Sequence, residues 1–266
     1  CQKPINMRSI KVTLAQMDTL WLNPNENLKK VEEIVDTMDD DVHILVLPEM
    51  FTTGYCIDTS QLNINWQNET LDILKKLTLK RDIFIIGSIP YFQDVAWFNR
   101  LICVSNGHEV YSYHKIHLFG LAKEDVNYTS GQTNNSFSIN DISTQALVCY
   151  DLRFPYLNTM KSCPKLIIYS ANWPATRIAH WKLLLQARAI ENQAYVIGVN
   201  RVGTDDNGYL YSGDSMIISF DGQILGHLGN MEETLTTSLN MNNLEQYRDK
   251  YPYLKDRKIS FDYQNF

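Results

Sequence analysis

The chain alternates short apolar runs with amphipathic stretches, and the two kinds differ in period. "IKVTLAQM" (10–17) carries Ile10, Val12 and Thr13 and reads as a strand. "NPNENLKKVEEIVDTM" (23–38) instead sets Leu28, Val31, Ile34, Val35 and Met38 at helical spacing. "VHILVLPE" (42–49) is almost continuously apolar, as a strand buried on both faces should be. A helix is expected around 69–81 and a strand at "IFIIGSI" (83–89). In "LICVSNGHEVYSYHK" (101–115), Asn106-Gly107 separates two strand-like runs, the composition of a tight hairpin turn.

The second half repeats that plan. "QALVCYD" (145–151) reads as a strand, a short helix is expected over 154–162, and "KLIIYSAN" (165–172) is another strand. "TRIAHWKLLLQARAIENQ" (176–193) is the clearest helix and leads into the strand "AYVIGVN" (194–200). "SMIISFDGQILGHL" (215–228) is a second hairpin, turning at Asp221-Gly222. No Ser/Gly/Pro linker separates the halves. The pattern implies one α/β domain of two pseudo-related halves, with helices layered outside a pair of sheets. In α/β folds ligands gather at the carboxyl ends of strands. Glu49, Cys149 and Asn172 stand at such ends, and Lys115 closes the first hairpin.

Composition narrows the partners. The 266 residues suit one large domain. The net charge of -6 is spread along the chain without a basic tract, which argues against nucleic acid or an acidic membrane surface. No apolar run approaches the ~20 residues that span a bilayer. Met7 precedes "RSIKVTLAQM" as a natural start, so a single domain is expected over 7–266, with 1–6 an extension. An amino-terminal Cys1 is also what lipoprotein processing leaves. Residues from about 242 to 266, including the mixed-charge "YRDKYPYLKDRK", read as a C-terminal arm. The five cysteines are odd in number and lack metal-ligand spacing. Buried thiols in a reducing cytoplasm are the expectation.

Three residues could carry chemistry, and each has an ordinary alternative. Glu49 follows an apolar run, where desolvation raises a carboxyl pKa, but it could equally be a buried acid paired with an arginine. Lys115 is either a strand-edge charge in solvent or a cation aimed at a partner. The neighbouring His114 and His117 suit packing or hydrogen bonding. Cys149 is either the last core residue of its strand or a nucleophile, and a nucleophilic thiol needs a base and a cation. Glu, Lys and Cys together supply base, electrostatic stabiliser and nucleophile.

Four motifs in order, "LVLPEMFTTGY" (45–55), "YHKIHLFG" (113–120), "LVCYDLRFP" (147–155) and "SANWPATRIAHWKLLLQARAIENQAYVIGVNRVG" (170–203), make the chain resemble the nitrilase (carbon–nitrogen hydrolase) superfamily, in its omega-amidase branch. The resemblance runs from Met7 to about Tyr251. It implies a four-layer α-β-β-α sandwich, paired as a homodimer through its outer helices. It also implies a triad of Glu49 as general base, Lys115 as stabiliser of the tetrahedral intermediate and Cys149 as nucleophile. The family's second glutamate falls on Glu124, whose alternative is a solvated loop acid. No metal or organic cofactor is required.

The residues after the cysteine bear on the substrate. Members that act on nitriles carry tryptophan and glutamate there, whereas this chain has Tyr150-Asp151-Leu152-Arg153, as omega-amidases do. The implied substrates are small 2-oxo dicarboxylate monoamides such as 2-oxoglutaramate and 2-oxosuccinamate. Other small-amide or N-carbamoyl hydrolases, and a non-catalytic binding protein on the same fold, are the competing readings. The Tyr150 backbone N–H is expected beside Lys115 at the oxyanion. A substrate carboxylate calls for a cation, and Arg153 and Arg177 are the candidates. Arg153 could instead pair with a buried acid and brace the turn, and Arg177 could be a helix-surface charge. Phe119 and Trp173 would wall the slot. Met38, Leu183, Leu184 and Leu185 read as helix core, and Trp181 and Arg188 as packing or bridging residues.

Overall fold

Alternation along the strands sets the layering. In the computed structural model, which describes residues 9–159 and 163–258, β1 (Ser9–Gln16) turns Ile10, Val12 and Leu14 to one side and Ala15 to the other. The first half continues with α1 (Pro24–Thr37), β2 (Ile44–Val46), α2 (Asn65–Lys80), β3 (Phe84–Gln93), β4 (Ala96–Ser105), β5 (His108–His114) and a single turn, α3 (Glu124–Asn127). The second half begins with β6 (Phe137–Ile139), β7 (Ile142–Val148), β8 (Leu166–Ala171), α4 (Ile178–Asn192) and β9 (Tyr195–Asn200). It ends with β10 (Val202–Thr204), β11 (Leu210–Ser212), β12 (Met216–Ile218), β13 (Ile224–His227), β14 (Glu233–Asn240) and α5 (Met241–Lys250).

Two six-stranded sheets result, ordered β14-β1-β2-β3-β4-β5 and β13-β12-β9-β8-β7-β6. Each centres on a parallel triplet, β1-β2-β3 or β7-β8-β9. Each continues into an antiparallel hairpin, and each has an antiparallel strand against its first member, β14 or β6. The two halves are therefore the same arrangement built twice. Ile10, Val12, Ile44, Val46 and Ile86 of one sheet share a core with Ala146, Val148, Ile167 and Ile197 of the other. On the outer face of the first sheet, Leu45 and Leu47 pack on Leu28, Val31 and Val35 of α1 and on Leu74 and Leu77 of α2. Trp181, Leu185 and Ala189 of α4 cover the second sheet. The fold is a four-layer α-β-β-α sandwich, as the resemblance implies.

Local chemistry explains the boundaries. The Asn23 side chain accepts the Glu26 N–H at 3.3 Å, and Pro24, with no N–H to leave unpaired, opens α1. Both expected hairpins are present, with Asn106 and Gly107 at φ +48° and +74°, and Gly222 at +89°. Three expectations need correction. The strand expected over 42–49 pairs only from Ile44 to Val46, since Pro48 has no N–H to extend the ladder. The expected helix at 154–162 is a single tight turn, Pro155–Asn158, and residues 160–162 lie outside the described part. Leu183 is 66% exposed, because the core face of α4 passes through Trp181 and Leu185 instead.

The 242–266 region begins as helix α5, which is preceded by β14 paired along β1. Arg248 fastens α5 to its own chain, donating to the carbonyls of Gln193, Cys163 and Pro164. Residues 1–6 and 259–266 fall outside the described residues. Among the described residues, no helix is long and apolar enough to cross a membrane.

Candidate active site

The carboxyl ends of the strands converge on a buried cluster of charge. Lys115, one residue past β5, places its ammonium 2.8 Å from Glu49 Oε1 and 2.8 Å from Glu124 Oε2. Lys115 is 1% exposed, and Glu49 and Glu124 are completely buried. The surface reading of Lys115 and the solvated-loop reading of Glu124 are thus both corrected, and the partner of Glu49 is a lysine rather than an arginine. Glu124 is further held by the Tyr55 hydroxyl at 3.0 Å and by the Phe119 N–H at 2.7 Å. Glu49 Oε2 accepts the Asn172 N–H at 2.9 Å, and the Asn172 side chain donates to the Glu49 carbonyl at 2.9 Å. Charge in a dry interior must be compensated in this way.

Cys149 sits where β7 ends, at φ +43°, a left-handed conformation that non-glycine residues rarely adopt. Such strain costs on the order of 1–3 kcal/mol and persists only where the surroundings enforce it. Here Asp151 enforces it. Its carboxylate accepts the Val148 N–H at 3.1 Å, the Tyr113 hydroxyl at 2.9 Å, and the His117 N–H and Nδ1 at 3.0 and 2.9 Å. His117 also stacks on Phe154, and His114 stacks on Phe98, so His117 packs and bonds and His114 packs, in line with the packing or hydrogen-bonding roles expected of them. The forced turn aims the thiol off the end of the strand, where it remains 8% exposed and has Glu49, Lys115 and the Asn172 N–H as its electrostatic neighbours.

Burial governs the protonation states. It raises the Cys149 thiol well above its usual pKa, Glu49 adds to the rise, and Lys115 opposes it. Burial likewise raises Glu49, against the pull of Lys115. For Lys115, burial favours the neutral amine, but the negative charges of Glu124 and Glu49 outweigh it and hold the ammonium protonated. The resting arrangement is a neutral thiol beside a carboxylate of heightened basicity, with a permanent cation at hand.

Above the cluster opens a small cleft. Phe119, Tyr150, Arg153, Trp173 and Arg177 all line it, together with Cys149. Arg153 lies over the Trp173 ring at 4.7 Å and meets His180 Nδ1 at 3.1 Å. Arg177 lies over the Phe119 ring at 5.2 Å. Trp173 is fixed by donating Nε1–H to the Arg177 carbonyl at 2.8 Å and N–H to Asn200 Oδ1 at 2.7 Å. Neither guanidinium forms an ion pair among the described residues, so the alternative in which Arg153 pairs with a buried acid is not what the structure contains. Also among the described residues, no three His, Cys, Asp or Glu side chains are grouped to hold a metal ion.

Residues 11–249 match the family model for carbon–nitrogen hydrolases. The chain belongs to that family. Omega-amidase YafV of Yersinia enterocolitica is 36% identical over 251 residues, covering 94% of this chain and 97% of that protein. A 2-oxoglutaramate amidase of Bacillus subtilis (strain 168) is 32% identical over 251 residues, covering 92% and 96%. Among solved structures, a CN-hydrolase superfamily protein from Xanthomonas campestris, with an arsenic adduct in its active site, superposes with a TM-score of 0.89. It is 30% identical, and the match covers 96% of this chain and 99% of that one. This carbon–nitrogen hydrolase is accordingly a hydrolase of non-peptide carbon–nitrogen bonds.

Several residues of this carbon–nitrogen hydrolase site escape a reading of the chain in sequence order. Tyr55, Pro174, Tyr209 and Tyr211 also line the cleft. The two later tyrosines are carried by the β10–β11 hairpin, where Asp205 accepts the Tyr209 N–H at 2.9 Å and the Tyr211 hydroxyl at 2.8 Å. Asn99, on β4, reaches both glutamates. Its one sequence signal is a small amide inside the otherwise strand-like "AWFNRLICV".

Proposed function

We propose that this protein is an omega-amidase that hydrolyses the terminal amide of small 2-oxo dicarboxylate monoamides, such as 2-oxoglutaramate and 2-oxosuccinamate, through a thioester on Cys149. One observation carries the reading. An ammonium bonded to two buried carboxylates lies beside a strained cysteine, at the base of a cleft holding two guanidiniums without ion pairs. The omega-amidase and 2-oxoglutaramate amidase relatives support the same substrate class.

The chemistry proceeds in two halves. Glu49 takes the Cys149 proton as sulfur forms a bond to the amide carbon, and the carbonyl π electrons move to oxygen. The Lys115 ammonium and the Tyr150 N–H hold that oxyanion. As the tetrahedral intermediate collapses, the C–N bond breaks and the nitrogen takes the proton from Glu49 and departs as ammonia. Water then gives a proton to Glu49 and its oxygen to the thioester carbon. The C–S bond breaks, the carboxylic acid leaves, and the sulfur recovers its proton. Glu124 keeps Lys115 aimed throughout. Arg153 or Arg177 receives the substrate carboxylate, with Phe119 and Trp173 as apolar walls.

In this reading residues 7–266 act as one catalytic domain, and the enzyme works as a homodimer in the cytoplasm, where its nucleophilic thiol stays reduced. The deciding experiment is ammonia release from 2-oxoglutaramate, a simple aliphatic amide and an N-carbamoyl amino acid, with Cys149→Ala as control. Preference for 2-oxoglutaramate, lost in the variant, is the expected result. Preference for either other substrate moves the enzyme elsewhere in the superfamily, and inertness toward all three removes the catalytic reading.

A further inference from the structure

The oxygens of Glu49 are not equivalent. Oε1 receives the Lys115 ammonium at 2.8 Å and the Asn99 Nδ2–H at 2.7 Å, and neither nitrogen can accept a proton from it. Both lone pairs of Oε1 are therefore occupied. Among the described residues, Oε2 receives the Asn172 N–H, at 2.9 Å, and no second nitrogen donor, so one lone pair is left for the Cys149 thiol, which lies within hydrogen-bonding reach of Glu49. That same Asn172 N–H is a neighbour of the Cys149 sulfur, which puts Oε2 on the thiol side.

The orientation of the Asn99 amide follows from a one-way chain of donors. The Met50 N–H donates to Ser88 Oγ at 2.9 Å, and the Ser88 hydroxyl donates to Asn99 Oδ1 at 2.9 Å. Asn99 then spends both amide hydrogens, one on Glu49 Oε1 and the other on Glu124 Oε1 at 3.0 Å. Ser88 and Asn99 are completely buried. A flipped amide would set its oxygen against two carboxylate oxygens and orphan the Ser88 hydroxyl, so the network admits a single orientation. The Asn99 carbonyl also accepts the Lys115 N–H at 2.9 Å, which ties the lysine backbone to the same residue.

We infer that Asn99 is a positioning residue: it closes Oε1 of Glu49 to protons, leaving Oε2 as the oxygen that takes the Cys149 proton and returns it. The inference rests on Glu49 acting as the base. An amide suits the position because it offers two donors without charge, where one ammonium already serves two carboxylates. A third acid there would have to hold a proton.

The test is the pH profile of kcat in Asn99→Leu, Asn99→Asp and Ser88→Ala, beside the alkylation rate of Cys149 by iodoacetamide. The titratable groups facing Glu49 and Glu124 are Lys115, Cys149 and the phenols of Tyr55, Tyr128 and Tyr211, and all stay in place in these variants. Asn99→Leu should lower kcat by about 10²-fold, the low end of what a general base supplies, with KM changed only a few-fold. Asn99→Asp should be as slow at alkaline pH and recover as the pH falls, because the new carboxyl, once protonated, again donates to Oε1. Wild type changes in the opposite direction, losing activity as Glu49 protonates. Ser88→Ala frees the amide to turn and should fall between wild type and Asn99→Leu.

Wild-type pH profiles in all three variants would overturn the inference. So would equal losses in Asn99→Leu and Asn99→Asp at every pH, which is what a purely structural role gives. If Asn99→Leu does not fold by thermal melting, the other two variants decide. If wild type releases ammonia from no amide, the functional reading fails separately. The alkylation profile then still decides for Asn99: the same pH dependence in wild type and Asn99→Asp refutes it, and a reversed dependence supports it.

Discussion

Glu49 and Asn172 follow the middle strands of the two parallel triplets, and they bond to each other across the sandwich. The Asn172 N–H donates to Glu49 Oε2 and its side-chain amide to the Glu49 carbonyl, both at 2.9 Å. The repeated half thus places one polar side chain at the same point of each sheet, and the two meet where the sheets face each other. One copy carries an acid and the other an amide that orients it. Met50, at φ +44°, holds the turn after Glu49, as Cys149 at φ +43° holds the turn after β7. Strain at both strand ends is held by hydrogen bonds, from the Asp151 carboxylate in the Cys149 turn and between the Met50 N–H and Ser88 Oγ on β3, which is how a stable scaffold keeps reactive groups fixed.

Removal of the proposed nucleophile is the plainest consequence. Cys149→Ala should reduce ammonia release by at least about 10³-fold, since no other group can carry the acyl intermediate. The fold should survive, because the neighbouring turn is held by Asp151 and not by the sulfur. Trapping of acylated protein by mass spectrometry in wild type, and its absence in the variant, checks the prediction. A variant that still turned over at the wild-type rate would mean that another nucleophile operates.

The acid limb of the rate profile should lie high for a carboxylate. In the proposed mechanism Glu49 must be ionised to accept the thiol proton, and burial raises its pKa above the ordinary value of about 4.3, Lys115 notwithstanding. Activity on a neutral amide should therefore fall, as pH decreases, before a free glutamate would titrate. The inflection belongs to the interacting Glu49, Lys115 and Cys149 groups rather than to one side chain. A kcat/KM profile flat down to the pKa of a free glutamate would contradict Glu49 as base.

Much of this was legible in the order of residues, for a physical reason. Strand ends in α/β sheets present their last residues to the ligand face, so Glu49, Lys115 and Cys149 are visible wherever an apolar run stops on a reactive type. Asn99 was not legible, because it lies inside β4 and its partners stand 50 and 25 residues away in the chain. Tyr209 and Tyr211 depend on a short hairpin with little apolar alternation to announce it. The pairing of β14 with β1 joins the far ends of the chain, where neither strand's pattern names its partner. Leu183 sits in an apolar triplet of α4, and only the position of the sheet decides that Leu185 faces inward while Leu183 meets solvent.

Lys115 should matter to stability as well as to rate. Lys115→Met would leave Glu49 and Glu124 buried without their ammonium, and breaking a buried pair from one side costs about 3–5 kcal/mol. In that variant nothing opposes the burial of Glu49, so its folded-state pKa rises further above its unfolded value. The folded state then binds a proton that the unfolded chain releases, so stability is greatest at low pH and is lost as pH rises through the raised value. Chemical denaturation at a series of pH values should show a steeper fall toward alkaline pH than in wild type. Parallel curves would mean that the two carboxylates do not depend on Lys115 for compensation.

The guanidiniums of Arg153 and Arg177 should separate charge recognition from chemistry. Arg153 is pinned against Trp173 and His180, whereas Arg177 touches the Phe119 ring and has no polar side-chain partner among the described residues. A charge-assisted bond to a carboxylate is worth about 1.5–3 kcal/mol, or roughly 10- to 10²-fold in affinity. Replacing the arginine that receives the substrate carboxylate by methionine should raise KM for 2-oxoglutaramate by that factor. KM for a neutral aliphatic amide should stay within a few-fold, and kcat should change little, because neither guanidinium contacts the Glu49–Lys115–Glu124 cluster. The freer Arg177 is expected to show the larger effect, since it gives up no existing hydrogen bond to meet a ligand. Equal losses on charged and neutral amides, from both replacements, would show that the arginines shape the cleft and do not read the carboxylate.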